Sequence, residues 1–231
     1  MNELYKKHID IVFCIDGSKS MSCSIETLKE KILEFINKLE DYSYEISYTL
    51  YLRAKLIIFR DYKYNDNPMV QTDFFKLPLQ NLSFKRALDK IKAVGGGDKA
   101  ANGLEALHYA MKSDFYVNPL KSPRPRQIIF LFTDNDALPL LERKDCENYP
   151  EDMFIENELC FVWNTREIFP KYNKLQRSAK FLVIYAPKDT EYERLSLILE
   201  KTYFMETQPG VGVKEYNFDF IIRLLYSTIL I

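Results

Sequence analysis

The chain has 231 residues, 47% of them hydrophobic and 14% aromatic, enough for one large domain or two small ones around a sizeable core. Lys and Arg number 32 against 33 Asp and Glu, a net charge of −1, so no global field draws the protein to nucleic acid or to an anionic membrane. Two histidines, His8 and His108, both in apolar-patterned segments, leave little material for a Ser-His-Asp triad or a His-rich zinc site.

In chain order, the amino terminus reaches Asp16 after an apolar run too short for a signal peptide. The run Ile11-Val12-Phe13-Cys14-Ile15 is β-branched and aromatic, and predicts a parallel strand covered on both faces. Ile25, Leu28, Ile32, Phe35, Ile36 and Leu39 then follow helical spacing, with Ser22 or Ser24 as the candidate cap. "ISYTLYLRAKLIIFRDY" reads as a strand and "MVQTDFF" as a short edge strand. "SFKRALDKIKAV" predicts a helix capped by Ser83, with Phe84, Ala87, Leu88 and Ile91 on one face. After the "GGGD" loop a second helix carries Leu104, Leu107 and Met111.

"RQIIFLFTDNDA" repeats the opening theme, an apolar strand ending at Thr133-Asp134, and "KFLVIYAP" is a third run of this kind. The segment from 135 to 170 is rich in turn residues and reads as an elaborated loop with a short helix near Trp163. Helical pattern follows in "TEYERLSLILEKTY". The closing stretch from 218 to 231 is apolar but interrupted by Arg223, and is shorter than the about 20 residues that span a bilayer; it predicts a last helix packed on the sheet. The alternation argues for an α/β fold: a doubly wound, mostly parallel sheet with helices on both faces and one short antiparallel edge strand. A single domain over 1–231 is expected, with no internal repeat or low-complexity linker. Cys14, Cys23, Cys146 and Cys160 form no CxxC pair, which suits reduced, cytoplasmic thiols.

In such a sheet, ligands bind beyond the carboxyl ends of strands where strand order reverses. Asp16-Gly17-Ser18-Lys19-Ser20 and Thr133-Asp134 each begin at such an end, and five of the seven glycines (Gly17, Gly95, Gly96, Gly97 and Gly103) lie in or beside two candidate site loops. A hard cation such as Mg²⁺ takes oxygen ligands at about 2.0–2.1 Å in near-octahedral geometry. Carboxylates supply charge and hydroxyls fill positions without overloading the ion. Asp16, Ser18, Ser20, Asp98 and Asp134 are therefore the candidate metal ligands. Taken singly they have plainer uses: Ser18 and Ser20 as helix caps, Asp134 as a turn starter, Arg60-Asp61 as a surface ion pair.

Together, D-x-S-x-S after the first strand, a glycine loop with one oxygen ligand, and T-D after a middle strand resemble the von Willebrand factor A family and its metal-ion-dependent adhesion site. "FRDY" at 59–62, "GGGD", "TD" followed by "YP" and a tryptophan, and "YAP" are similar to bacterial intracellular members and to A domains associated with protein kinases. The resemblance implies a Rossmann-like fold over most of the chain. It implies a divalent ion, Mg²⁺ or in its place Mn²⁺ or Ca²⁺, held by Asp16, Ser18 and Ser20 of the first loop, Asp98 of the second and Asp134 of the third. It further implies a non-catalytic adaptor for a protein partner such as an ATPase, kinase or phosphatase, while the charge balance and the short apolar stretches argue against nucleic acid and membrane as partners.

Asp98 stands where the family usually has threonine. Three carboxylates around a +2 ion leave −1, which weakens the pull on an acidic partner. Two other chemistries compete. A phosphatase or phosphotransferase of the haloacid dehalogenase type also places an Asp after the first strand, but needs a second Asp two residues on, where this chain has Ser18. Nucleotide binding at "GGGDKAANG" lacks a phosphate-loop pattern, and Asp98 would repel phosphate.

Overall fold

The computed structural model describes residues 6–45, 49–95, 100–117, 125–138, 149–150, 180–207 and 218–223. Strand β1 (Lys6–Asp16) leads through a 3-10 turn (Lys19–Cys23) into helix α1 (Ile25–Glu45) and back to β2 (Thr49–Phe59). Two short strands follow, β3 (Met69–Gln71) and β4 (Phe75–Leu77), then α2 (Asn81–Asp89), β5 (Ala100–Ala101) and α3 (Gly103–Met111). The remaining elements are β6 (Arg126–Phe132), β7 (Asp136–Ala137), β8 (Lys180–Pro187), α4 (Glu191–Ile198) and β9 (Thr202–Thr207). Residues 219–223 are helical.

The main sheet runs β3-β2-β1-β6-β8-β9, with β4 also paired to β2, and β5 and β7 form a separate parallel pair. All main-sheet pairings are parallel except those of β3 and β4 with β2. The α/β, doubly wound expectation therefore holds. Its edge strand is refined into two pieces, separated where Thr72 replaces a strand pairing: its backbone N–H donates to Leu56 O and its hydroxyl accepts from Leu56 N–H. Strand β9 was not expected. Thr202 and Tyr203 read as the tail of a helix, yet they pair in register with Leu182 and Val183.

Alternation along the strands sends side chains to two cores. Ile9, Ile11, Phe13 and Ile15 of β1 join Leu28, Ile32, Phe35, Phe84 and Leu88 of α1 and α2 on one face, together with Phe218, Ile221 and Ile222. Val12 and Cys14 face the other way, with Leu104, Leu107 and Met111 of α3 and Tyr192 and Leu195 of α4. Burial on both faces is why the strands read as unbroken apolar runs.

The first core is aromatic at its centre. Phe13 and Phe130 are register partners with ring centroids 5.3 Å apart, Phe132 stacks on Tyr185 at 5.0 Å, and Phe35 and Phe218 each meet Phe130 edge-on at 5.5 Å. The early part of the closing stretch thus packs on the sheet as expected; residues 224–231 lie outside the described residues, as do Trp163, Cys146, Cys160 and most of the 135–170 loop.

Caps depart from expectation. Helix α2 begins at Asn81 with Gln80 at its cap, so Ser83 sits inside its first turn. Ser24 does precede α1, and its carbonyl accepts Leu28 N–H at 2.9 Å, but its hydroxyl donates back to Met21 O. At the opposite end of the sheet from Asp16, buried Asp10 accepts both Arg53 Nε and Nη2 across the β1–β2 pairing and also the Tyr116 N–H.

Replacing Phe130, which is fully buried, by Ala is expected to lower unfolding free energy by about 3–5 kcal/mol in urea titrations, through lost apolar burial and the cavity left among four rings. Leu197→Ala, at a side chain 82% exposed, is the control and should stay within about 0.5 kcal/mol of the parent.

Candidate metal centre

Strand order reverses at β1. The chain goes from β1 to β2 on one side, and β6 takes the other side. The segments leaving β1 and β6 therefore diverge from neighbouring strand ends and leave a crevice between them. Asp16, the last residue of β1, is fully buried there, and Thr133 and Asp134 directly follow β6 and are also buried.

Asp16 Oδ1 accepts the Ser18 N–H at 2.8 Å, and Oδ2 accepts the Thr133 hydroxyl at 2.7 Å. Burial raises the Asp16 carboxyl above its ordinary value and the nearby Asp134 charge adds to this, while the hydrogen bonds from Ser18 and Thr133 pull it back down. Ser18 Oγ lies 2.9 Å from Ser20 Oγ, and Ser20 Oγ donates to Asp134 Oδ1 at 2.7 Å. The first and third loops thus bring Asp16, Ser18, Ser20 and Asp134 together, and Asp98 of the second loop lies outside the described residues. Ser18 occupies the cap position of the 3-10 turn, yet its side chain makes no cap hydrogen bond. Its hydroxyl is turned toward Ser20, which argues against the plainer capping role.

Three residues outside the set of candidate ligands also belong to the site. Thr133 links Asp16 to the third loop, since its hydroxyl also accepts the Asn135 N–H at 3.1 Å. Asn135 Nδ2 reaches Ser20 Oγ at 2.8 Å and Asp134 Oδ1 at 2.9 Å. Thr133 was visible in the sequence as the first residue of the T-D pair, and adjacency to Asp134 was the only signal for Asn135. The third is Arg60, expected as half of a surface ion pair.

Arg60 instead clasps backbone. Its guanidinium donates to Gly17 O (3.1 Å), Val94 O (3.2 Å), Lys92 O (3.0 Å) and Asn67 O (3.5 Å). Val94 N–H also donates to Gly17 O, and Lys19 N–H to Gly95 O. The first loop is thereby sewn to the chain that enters the glycine loop. A Cβ on Gly17 would come within 2.8 Å of Ile58 Cγ2 and 2.9 Å of Arg60 Cζ, so only glycine lets the guanidinium lie this close. Gly95 has φ +74°, the left-handed region, and a Cβ there would strike Asn65 Oδ1.

The candidate ligand side chains brought together here, Asp16, Ser18, Ser20 and Asp134, offer only hard oxygens, the class Mg²⁺ selects. Among the described residues no group of three or more His, Cys, Asp or Glu side chains could hold a metal, so two carboxylates and two hydroxyls are what this part of the chain supplies.

Arg60→Lys keeps the charge but offers one point donor in place of a planar fork. It is expected to destabilise the protein by about 1–3 kcal/mol and to speed amide exchange at Lys19 and Val94. Gly17→Ala should cost about the same by overpacking against Ile58 and Arg60. Thermal unfolding and hydrogen exchange resolved by residue check both.

A family model of the von Willebrand factor A domain matches residues 10–148. Among curated proteins, none matches. Among solved structures the chain is similar to the pilus adhesin SpaC of Lactobacillus rhamnosus GG in its open conformation, with TM-score 0.52 and 12% identity over 96% of this chain and 30% of the adhesin. A second crystal structure of SpaC gives TM-score 0.51 with 31% of that chain covered. Proximal thread matrix protein 1 of the mussel byssus gives TM-score 0.48 and 12% identity, over 97% of this chain and 49% of that one. This chain thus spans less than a third of the adhesin's length, and at such identity the likeness is one of fold. With the family model matched over more than half its length, from within β1 past the third loop, the chain belongs to the von Willebrand factor A domain family.

Proposed function

We propose that this protein is a divalent-metal-dependent protein-interaction module without catalysis of its own. Domains of this family serve generally in protein–protein interaction. The finer reading is carried by one observation: oxygens from two loops, Asp16, Ser18 and Ser20 on one side and Asp134 on the other, meet at the reversal point of the sheet. In this reading those four side chains and Asp98 hold Mg²⁺, or Mn²⁺ or Ca²⁺ in its place. The ion supplies a Lewis-acidic position toward which a side chain of the partner is drawn, and Asp98 in place of threonine moderates that pull.

The partner is a protein, of the ATPase, kinase or phosphatase kind that the family resemblance suggests. The setting is cytoplasmic, with the whole of 1–231 acting as one domain. Free Cys14 and Cys23 suit a reducing compartment. Among the described residues no helix is long and apolar enough to cross a membrane. The phosphotransfer alternative gains no support, because the residue two on from Asp16 is a serine whose hydroxyl is engaged by Ser20.

Titrating Mg²⁺ or Mn²⁺ calorimetrically is expected to give saturable binding to the parent protein and none to Asp16→Ala. Flat titrations for both would remove the reading. A pull-down run with and without chelator then tests the second half: a partner retained only in the presence of metal is the expected outcome.

A further inference from the structure

We infer that the side-chain amide of Asn135 competes with the divalent ion for the candidate ligand oxygens, so that ion binding requires this side chain to release Ser20 and Asp134. The inference rests on reading those oxygens as a cation site, and it adds the step that controls access to them.

The argument is one of hydrogen-bond capacity. A serine hydroxyl has one proton to donate and two lone pairs to accept with. Ser20 donates its proton to Asp134 Oδ1 at 2.7 Å. With that proton committed, the 2.9 Å contact with Ser18 Oγ is one that Ser20 accepts. Its other lone pair accepts Asn135 Nδ2 at 2.8 Å. All the capacity of Ser20 Oγ is thus taken up within the protein, and a cation seeking one of its lone pairs must displace a donor.

Asn135 is the donor that can leave. Its two amide hydrogens serve Ser20 Oγ and Asp134 Oδ1, with Ser18 Oγ more distant at 3.4 Å, so it covers oxygens of both loops at once. Which end of the amide faces them is set by Asp134: Oδ1 already accepts the Ser20 hydroxyl, and an amide oxygen 2.9 Å from it would be repelled. The side chain is partly exposed, whereas its backbone is held by the Asn135 N–H bond to Thr133, so it is able to swing out without moving the loop.

The test compares the parent, Asn135→Ala and the double variant Asp16→Ala/Asn135→Ala by calorimetric titration with Mn²⁺ and by thermal unfolding in chelator and in Mn²⁺. Asn135→Ala should bind Mn²⁺ about tenfold more tightly than the parent, the equivalent of one net hydrogen bond that no longer has to be broken, and the double variant should not bind. In chelator Asn135→Ala should melt below the parent, because Ser20 and Asp134 lose a donor, and Mn²⁺ should narrow or invert that gap. Equal affinity, or a gap unchanged by Mn²⁺, overturns the inference while leaving the cation site standing. Weaker binding overturns it too, by making the Asn135 amide oxygen a ligand. No binding to any form overturns the inference and the cation reading together. Asn135→Gly supplies the same comparison if the alanine variant does not fold.

Discussion

A carboxylate with no solvent exposure at the end of a central strand is expensive, and the surroundings of Asp16 are arranged around that cost. Burial alone would favour the neutral acid. A backbone N–H from Ser18 and a hydroxyl from Thr133 favour the anion, one for each carboxylate oxygen. Burial lowers the Arg60 guanidinium from its ordinary value and the charge of Asp16 works against that fall, so the arginine that follows β2 also feels this carboxylate. Each of these groups comes from a different strand end, so the position of one side chain ties together β1, β2 and β6.

The sheet makes this possible by reversing its strand order at β1. Neighbouring strand ends leave room for diverging loops, and the loops are stitched by backbone contacts: Gly17 N–H to Phe59 O, Val94 N–H to Gly17 O, Lys19 N–H to Gly95 O. Arg60 reinforces the same seam from its outer side. A planar guanidinium reaching four carbonyls is geometrically demanding, which is why the approach passes over a glycine. The aromatic core beneath, from Phe13 through Phe130 and Phe132 to Tyr185, gives the strand ends a rigid base. In the proposed reading, such a frame lets the site keep its backbone in place and adjust through side chains, with Asn135 the one that moves.

Much of this was legible from residue pattern alone. The strands that became β1, β2, β6 and β8 announced themselves because burial on both faces demands unbroken apolar runs, and the long helix α1 because one buried face imposes helical spacing. Asp16, Ser18, Ser20 and Asp134 stood out only as a set, because each alone could cap a helix or start a turn, whereas together they follow strand ends expected to share one crevice. Strand β9 was missed because its residues are only partly buried along most of its length, so alternation was masked by the preceding helical pattern. The cap at Ser83 failed for a related reason: any polar residue near a helix start looks like a cap until the chain path is known.

What the sequence determined by itself was chemistry and order: which residues carry oxygen donors, which segments must be buried, and that the donors follow strands. Only the tertiary structure decided adjacency. That β6 lies beside β1, so that Ser20 meets Asp134 across 114 positions of chain, depends on strand order. That Arg60 serves backbone rather than a neighbouring acid depends on how two loops pass each other, and that Asn135 caps the shared oxygens depends on the direction of one amide. Strand order, loop approach and side-chain direction are set by packing between distant segments, and local residue pattern does not encode them.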